Sequence, residues 1–118
     1  MILETYGITV VPTASVDHAL KLVPQWQPQI VITELFLPEK DGYHLVRKLK
    51  AFERRGFWPI SCIALTTQTS EDDYRKTKIT GFDKHIAKPY SIDELISAIA
   101  DLAKIELSNL KNVYAVKE

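Results

Sequence analysis

The sequence predicts a doubly wound α/β fold, a parallel sheet with helices on both faces, and three observations carry that expectation. Short β-branched runs at Ile8 to Val11, Ile30 to Thr33, Ile60 to Leu65 and Lys84 to Ala87 alternate with segments of helical spacing, the βαβα pattern of parallel sheets. Apolar residues fill nearly every position of the second and third runs. Strands covered on both faces need this, so these two belong at the centre. Finally, each intervening segment carries its own start and stop signals.

Taken in order, Ser15 caps a helix bearing Val16, Ala19, Leu20 and Val23, and Pro24, lacking a backbone donor, keeps that helix short. Asp41-Gly42 opens a second helix with Leu45, Val46, Leu49 and Phe52 on one face; Gly56 stops it, and Lys50 is expected at its surface. Ser70 with Asp73 resembles a capping box for a third helix, which Gly81 ends. This helix is weakly apolar and should pack least firmly. Ser91 with Glu94 caps the most amphipathic helix, with Leu95, Ile96, Ile99 and Leu102. The four glycines (Gly7, Gly42, Gly56, Gly81) fall at element boundaries, where positive φ or a cap explains them and no phosphate-cradling loop is implied.

Composition narrows the function classes. With 118 residues, 46% of them hydrophobic, the chain suits one compact domain and is too short for two. Fifteen basic residues balance fifteen acidic ones, so no broad positive field points to nucleic acid or an anionic membrane. The amino terminus lacks a basic n-region and a long apolar stretch, and nothing approaches the ~18 apolar residues of a membrane span. A cytoplasmic protein is expected. The single cysteine, Cys62, lies in an apolar run and reads as a small buried hydrophobe. His18 and His44 stand in helical segments with no Cys or His at metal-ligand spacing, so no metal or other cofactor is expected. Trp26 and Trp58, in connecting segments, read as local cover for the core.

Three segments carry a resemblance. Ile30-Val-Ile-Thr-Glu34-Leu-Phe-Leu-Pro38-Glu-Lys-Asp41-Gly42, then Ile63-Ala-Leu-Thr66-Thr67, then Gly81-Phe-Asp-Lys-His85-Ile-Ala-Lys88-Pro89-Tyr90 follow one another. In that order they resemble the ends of the third, fourth and fifth strands of the CheY-like receiver domain of two-component response regulators, a flavodoxin-like fold. The likeness spans roughly Gly7 to Lys104. It implies that Glu34 stands at the phosphoacceptor position, that Thr66 and Lys88 stand where the family contacts the phosphoryl group, and that His85 stands at the aromatic switch position. Tyr74 and Tyr90 flank what is, in receivers, the usual signalling and dimerisation face.

The departures are informative. Receivers begin with a strand ending in paired acids that hold Mg²⁺, and this sequence starts near the end of the following helix. It is therefore expected to be N-terminally truncated and to lack the acid pair, losing metal and catalysis together. Glutamate in place of aspartate moves the carboxylate by ~1.3–1.5 Å, enough to spoil in-line attack. Glu34 then either imitates a phosphoryl group toward Thr66 and Lys88 or marks a site that is simply inactive.

The resulting expectation is a degenerate receiver, not an enzyme, serving as a phosphorylation-independent interaction module whose partners are signalling proteins or a twin subunit. One alternative is a conventional phosphoacceptor receiver whose first strand is missing or supplied in trans. Another is a flavodoxin-like small-ligand binder using the crevice at the strand ends. The domain division expected is a receiver-like core over residues 1–107 and a C-terminal extension over 108–118. Within the extension Val113 to Val116 has the length and β-propensity of a replacement for the missing strand, with Lys117-Glu118 where the acid pair would be.

Overall fold

The computed structural model describes residues 9–13, 15–36, 41–103 and 112–116. Nine elements follow in chain order: β1 (Thr9–Thr13), α1 (Val16–Trp26), β2 (Ile30–Glu34), α2 (Gly42–Arg54), β3 (Ser61–Thr66), α3 (Glu71–Thr80), β4 (Lys84–Ala87), α4 (Ile92–Ala103) and β5 (Asn112–Val116). The five strands form one parallel sheet in the order β1-β5-β2-β3-β4. The C-terminal segment thus occupies an interior position. Thr9 pairs with Asn112 on one side of β5, and Ile30 with Val113 and Thr33 with Val116 on the other. Pro12, which lacks a ladder donor, lies on β1 at the sheet's edge, where such a residue is tolerated.

Side chains alternate between two cores, as the pleat dictates. Val31, Cys62 and Ala64 point to α1 and α2 and pack with Val16, Ala19, Val23, Leu45, Val46 and Leu49. Ile30, Ile32, Ile63 and Leu65 point the other way and meet Leu95, Ala98 and Ile99 of α4. Each such aliphatic side chain contributes ~1.5–3 kcal/mol by leaving water. The helix caps match the sequence signals. Ser15 Oγ accepts from His18 N at 3.1 Å, Asp41 Oδ1 from His44 N at 2.9 Å, and Ser70 with Asp73 closes a reciprocal capping box. At α4, Glu94 N donates to Ser91 Oγ at 3.1 Å and Ser91 N to Glu94 Oε1 at 3.3 Å. Only Thr77 of α3 is buried, so this helix is indeed the most loosely seated of the four.

Three details differ from expectation. Pro24 lies within α1, which runs on to Trp26 and ends at Gln27 in a left-handed conformation. A proline forfeits one internal bond but this near the terminus does not block the last turn. Gly42 is required by proximity, not by positive φ: a Cβ there would lie 2.6 Å from the Glu34 carbonyl oxygen. Lys50 is no free surface residue, being 21% exposed. Its Nζ donates to the Ile60 carbonyl at 3.0 Å and to Glu53 at 3.3 Å, and lies 4.0 Å from Asp83. Asp83 in turn accepts from Cys62 N at 2.8 Å, so one lysine braces α2 against the starts of β3 and β4.

Candidate functional site

A parallel sheet places its crevice at the carboxyl ends of the strands, and the three motif residues meet there. Glu34 closes β2 and Thr66 closes β3, while Lys88 follows β4 and is tied to β3 by its N–H donating to the Thr66 carbonyl at 2.8 Å. The α2 start fixes the other wall. Gly42 N donates to the Leu35 carbonyl at 2.8 Å, and the missing side chain lets the helix approach the backbone of Glu34. Together Glu34, Leu35, Phe36, Leu65, Thr66, Thr67 and Lys88 line a cleft of about 110 Å³.

Inside the cleft Lys88 Nζ stands 2.8 Å from Glu34 Oε1, with the two side chains 32% and 22% exposed. That is a charge-assisted bond of short length. Its net worth is ~0–1 kcal/mol because water still reaches both partners. Thr66 is buried, and its hydroxyl oxygen accepts from Gln68 N at 3.0 Å. The geometry therefore brings Glu34 and Lys88 into contact and turns Thr66 toward the loop after β3. Among the described residues Glu34 is the one carboxylate lining this cleft. The resemblance implies a Mg²⁺ site, which needs several hard oxygen donors; one carboxylate already engaged by a lysine does not fit it. Lys117 and Glu118 lie outside the described residues, although β5 ends beside Thr33, next to Glu34 in the chain.

His85 lies on β4 with its ring on the α3 side. Nε2 is 3.0 Å from the Gln68 carbonyl and Nδ1 2.9 Å from Thr77 Oγ1, and the ring stacks on Tyr74 at 4.0 Å between centroids. Gln68 and Thr77 escaped the sequence reading. Thr77 could have been noticed as the central residue of a helix with few apolar positions, whereas Gln68 acts through its backbone and leaves no signature. Tyr90 packs at the margin of the α4 core. Cys62 is fully buried at the far end of β3, and burial pushes its thiol up to about 12. Trp58 packs against the core and donates from Nε1 to the Pro28 carbonyl at 2.9 Å, while Trp26 is 44% exposed. Among the described residues no helix is long and apolar enough to cross a membrane, and no group of three His, Cys, Asp or Glu residues is placed to share a metal ion.

Residues 1–100 match the family model of the response regulator receiver domain. Among curated proteins, the response regulator SaeR of Staphylococcus epidermidis is 34% identical over 110 residues, covering 92% of this chain and 46% of that protein. The hybrid signal transduction histidine kinase D of Dictyostelium discoideum is 36% identical over 96 residues, 78% of this chain and 6% of that protein. The chain thus spans less than half the length of either relative. Among solved structures, the receiver domain of the Francisella response regulator 1452 superposes with a TM-score of 0.77 at 25% identity, covering 86% of this chain and 81% of that one. A Clostridium difficile two-component response regulator gives a TM-score of 0.77 at 17% identity, covering 86% and 80%, a likeness of fold alone.

Proposed function

Because this chain belongs to the response regulator receiver domain family, we propose that it is a degenerate receiver that docks a signalling protein without being phosphorylated. The observation that carries this is the Glu34–Lys88 pair at 2.8 Å. The added methylene of Glu34 carries the paired carboxylate ~1.3–1.5 Å beyond an aspartate's reach, which argues against the in-line geometry that phosphoryl transfer demands. A single carboxylate among the described lining residues supports the same conclusion. β5, lying between β1 and β2, also weakens the alternative of a conventional receiver that borrows its first strand from another chain. On this proposal residues 1–118 form one receiver-like unit that is cytoplasmic and does not turn over a substrate. Glu34, Thr66 and Lys88 keep their family positions without the family's chemistry.

The surroundings of the Thr66 hydroxyl bear on whether the pair imitates a phosphorylated state or marks a resting one. A mimic would hold the Thr66 hydroxyl toward the negative charge, whereas the bond that engages this hydroxyl is the one it accepts from Gln68 N in the loop after β3. With His85 also engaged on the α3 side, the resting alternative is favoured. Acetyl phosphate with Mg²⁺, followed by intact mass, tests the proposal. No adduct of ~80 Da should form. A stoichiometric adduct that Glu34→Gln abolishes would overturn it. Capture from the native cytoplasm with wild-type chain should recover the same partner with or without phosphodonor.

A further inference from the structure

The net charge of the chain is zero, yet its surface is polarised. α2 carries Arg47, Lys48, Lys50 and Arg54 against one acid, Glu53. Together α2 and α3 enclose an open groove of about 490 Å³ lined by Arg47, Asp72, Arg75, Lys76, Ile79 and Thr80. Asp72 is taken by Arg75 at 2.6 Å. Arg47 and Lys76 lie against the Tyr43 ring, with Arg47 Cζ 5.9 Å and Lys76 Nζ 4.3 Å from its centroid. A ring face attracts a cation without neutralising it, and neither side chain forms an ion pair among the described residues. Ile79, 78% exposed, adds an uncovered aliphatic surface to the same groove.

α4 is the opposite case. It carries Asp93, Glu94 and Asp101 and no lysine or arginine. Asp93, Ser97 and Asp101 are exposed and recur every fourth residue, which aligns them in one stripe ~12 Å long. The half-buried Ile96 flanks that stripe. Asp101 meets Lys84 at 3.2 Å and Glu94 accepts from Ser91 N at 3.3 Å, while Asp93 forms no ion pair among the described residues. α2 covers the sheet face of Val31, Cys62 and Ala64, and α4 covers the face of Ile32, Ile63 and Leu65. Groove and stripe thus lie on opposite sides of the sheet, and one molecule cannot offer both to the same partner.

We propose that the groove between α2 and α3 is a docking site for α4 of a second copy of this chain, so that copies associate head to tail. On this arrangement Asp93 of one copy meets Arg47 and Lys76 of the next, and Ile96 covers Ile79. A nucleic acid is a poorer occupant, because the acidic first turn of α3, Glu71, Asp72 and Asp73, interrupts any track of phosphate contacts. Each copy keeps a free groove at one end and a free α4 at the other, so the contact is heterologous and does not close into a pair. Exposed charge pairs hold such an assembly weakly and make it sensitive to salt. Groove and cleft share no residue, so association of this kind leaves Glu34 accessible and does not depend on the docking of a signalling protein proposed above.

Sedimentation velocity of the full chain, from micromolar to millimolar concentration, is the test. In low salt the mean mass should rise past that of a pair, and the association should fade as salt increases from about 0.05 to 0.5 M. Arg47→Gln and Asp93→Asn should each weaken it by about three- to tenfold. Lys21→Gln, the same loss of charge on the exposed side of α1, should leave it unchanged. An equimolar mixture of Arg47→Gln and Asp93→Asn chains retains one intact groove and one intact α4, and should form pairs that grow no further. A chain that stays monomeric at millimolar concentration would overturn the proposal, as would a wild-type pair that never grows. Oligomers indifferent to salt and to both substitutions, as exchange of β5 would give, would overturn it too.

Discussion

Replacing Gly42 by alanine should disturb the cleft more than any other single methyl. The added Cβ would lie 2.6 Å from the Glu34 carbonyl oxygen, 3.1 Å from Thr33 Cγ2 and 3.2 Å from Thr33 Oγ1. The first distance is ~0.7 Å short of the closest ordinary carbon to oxygen contacts. The obstacle is backbone, so no rotamer change relieves it. Either the α2 start withdraws, lengthening the 2.8 Å bond from Gly42 N to the Leu35 carbonyl, or the end of β2 shifts with Glu34. Overpacking of this kind costs ~1–3 kcal/mol, which outweighs the ~1 kcal/mol that alanine's helix propensity returns at an interior position and less at a first turn. In urea the unfolding midpoint should drop by roughly 1 M, given a slope of ~1–3 kcal/mol/M. Gly56→Ala is the control, because a Cβ there meets nothing within 4 Å and only the left-handed φ of 93° opposes it. It should cost ~1–2 kcal/mol without moving Thr33, Glu34 or Leu35 amide signals, all of which Gly42→Ala should shift. A Gly42→Ala protein as stable as wild type, with those signals unmoved, would refute the steric account.

Four further outcomes follow from the packing. With its thiol pushed up to about 12 by burial, Cys62 should alkylate at pH 8 at least ~10³-fold more slowly in the folded than in the unfolded chain. Above ~8.5 the unfolded thiol loses its proton while the folded one keeps it, so stability should fall by up to ~1.4 kcal/mol per pH unit, a slope that Cys62→Ala should flatten; equal slopes in urea titrations would contradict the assignment. Asp83→Ala removes the acceptor of Cys62 N and the carboxylate near Lys50, and should lower stability by ~1–3 kcal/mol in the same assay. Deleting residues 112–118 leaves β1 and β2 without the partner between them, and cooperative melting should disappear; an unchanged Tm and oligomeric state would show that the sheet does not need β5.

Much of this architecture was legible because its signals are local. Alternating buried and exposed faces, serine and aspartate caps and the clustering of motif residues at strand ends can all be read from neighbours in the chain. What escaped depends on contacts between distant backbone groups. Lys50 looked like a solvated lysine because nothing in its helix announces the Ile60 carbonyl that it meets. Gly42 looked like a boundary residue because close approach of another strand leaves no trace in its own segment. Gln68 contributes only its amide and carbonyl, which every non-proline residue possesses. Conversely, β5 was legible through a vacancy, since a sheet that needs an interior strand selects whatever segment of suitable length and β-propensity remains.

The interior position of β5 has a kinetic meaning. Its pairs, Thr9 with Asn112 and Ile30 with Val113, join the two extremes of the described chain. A nascent chain can therefore pair β2 with β3 and β3 with β4 while β1 waits without a neighbour until residue 112 has emerged from the ribosome. Contacts of such sequence separation carry a large loop-closure entropy and slow the final step of folding. During that interval two facing strand edges are open, and the first suitable strand to arrive need not come from the same molecule. Exchange of this segment between nascent neighbours is the characteristic error of such a topology, and crowded synthesis is the condition under which it would be met.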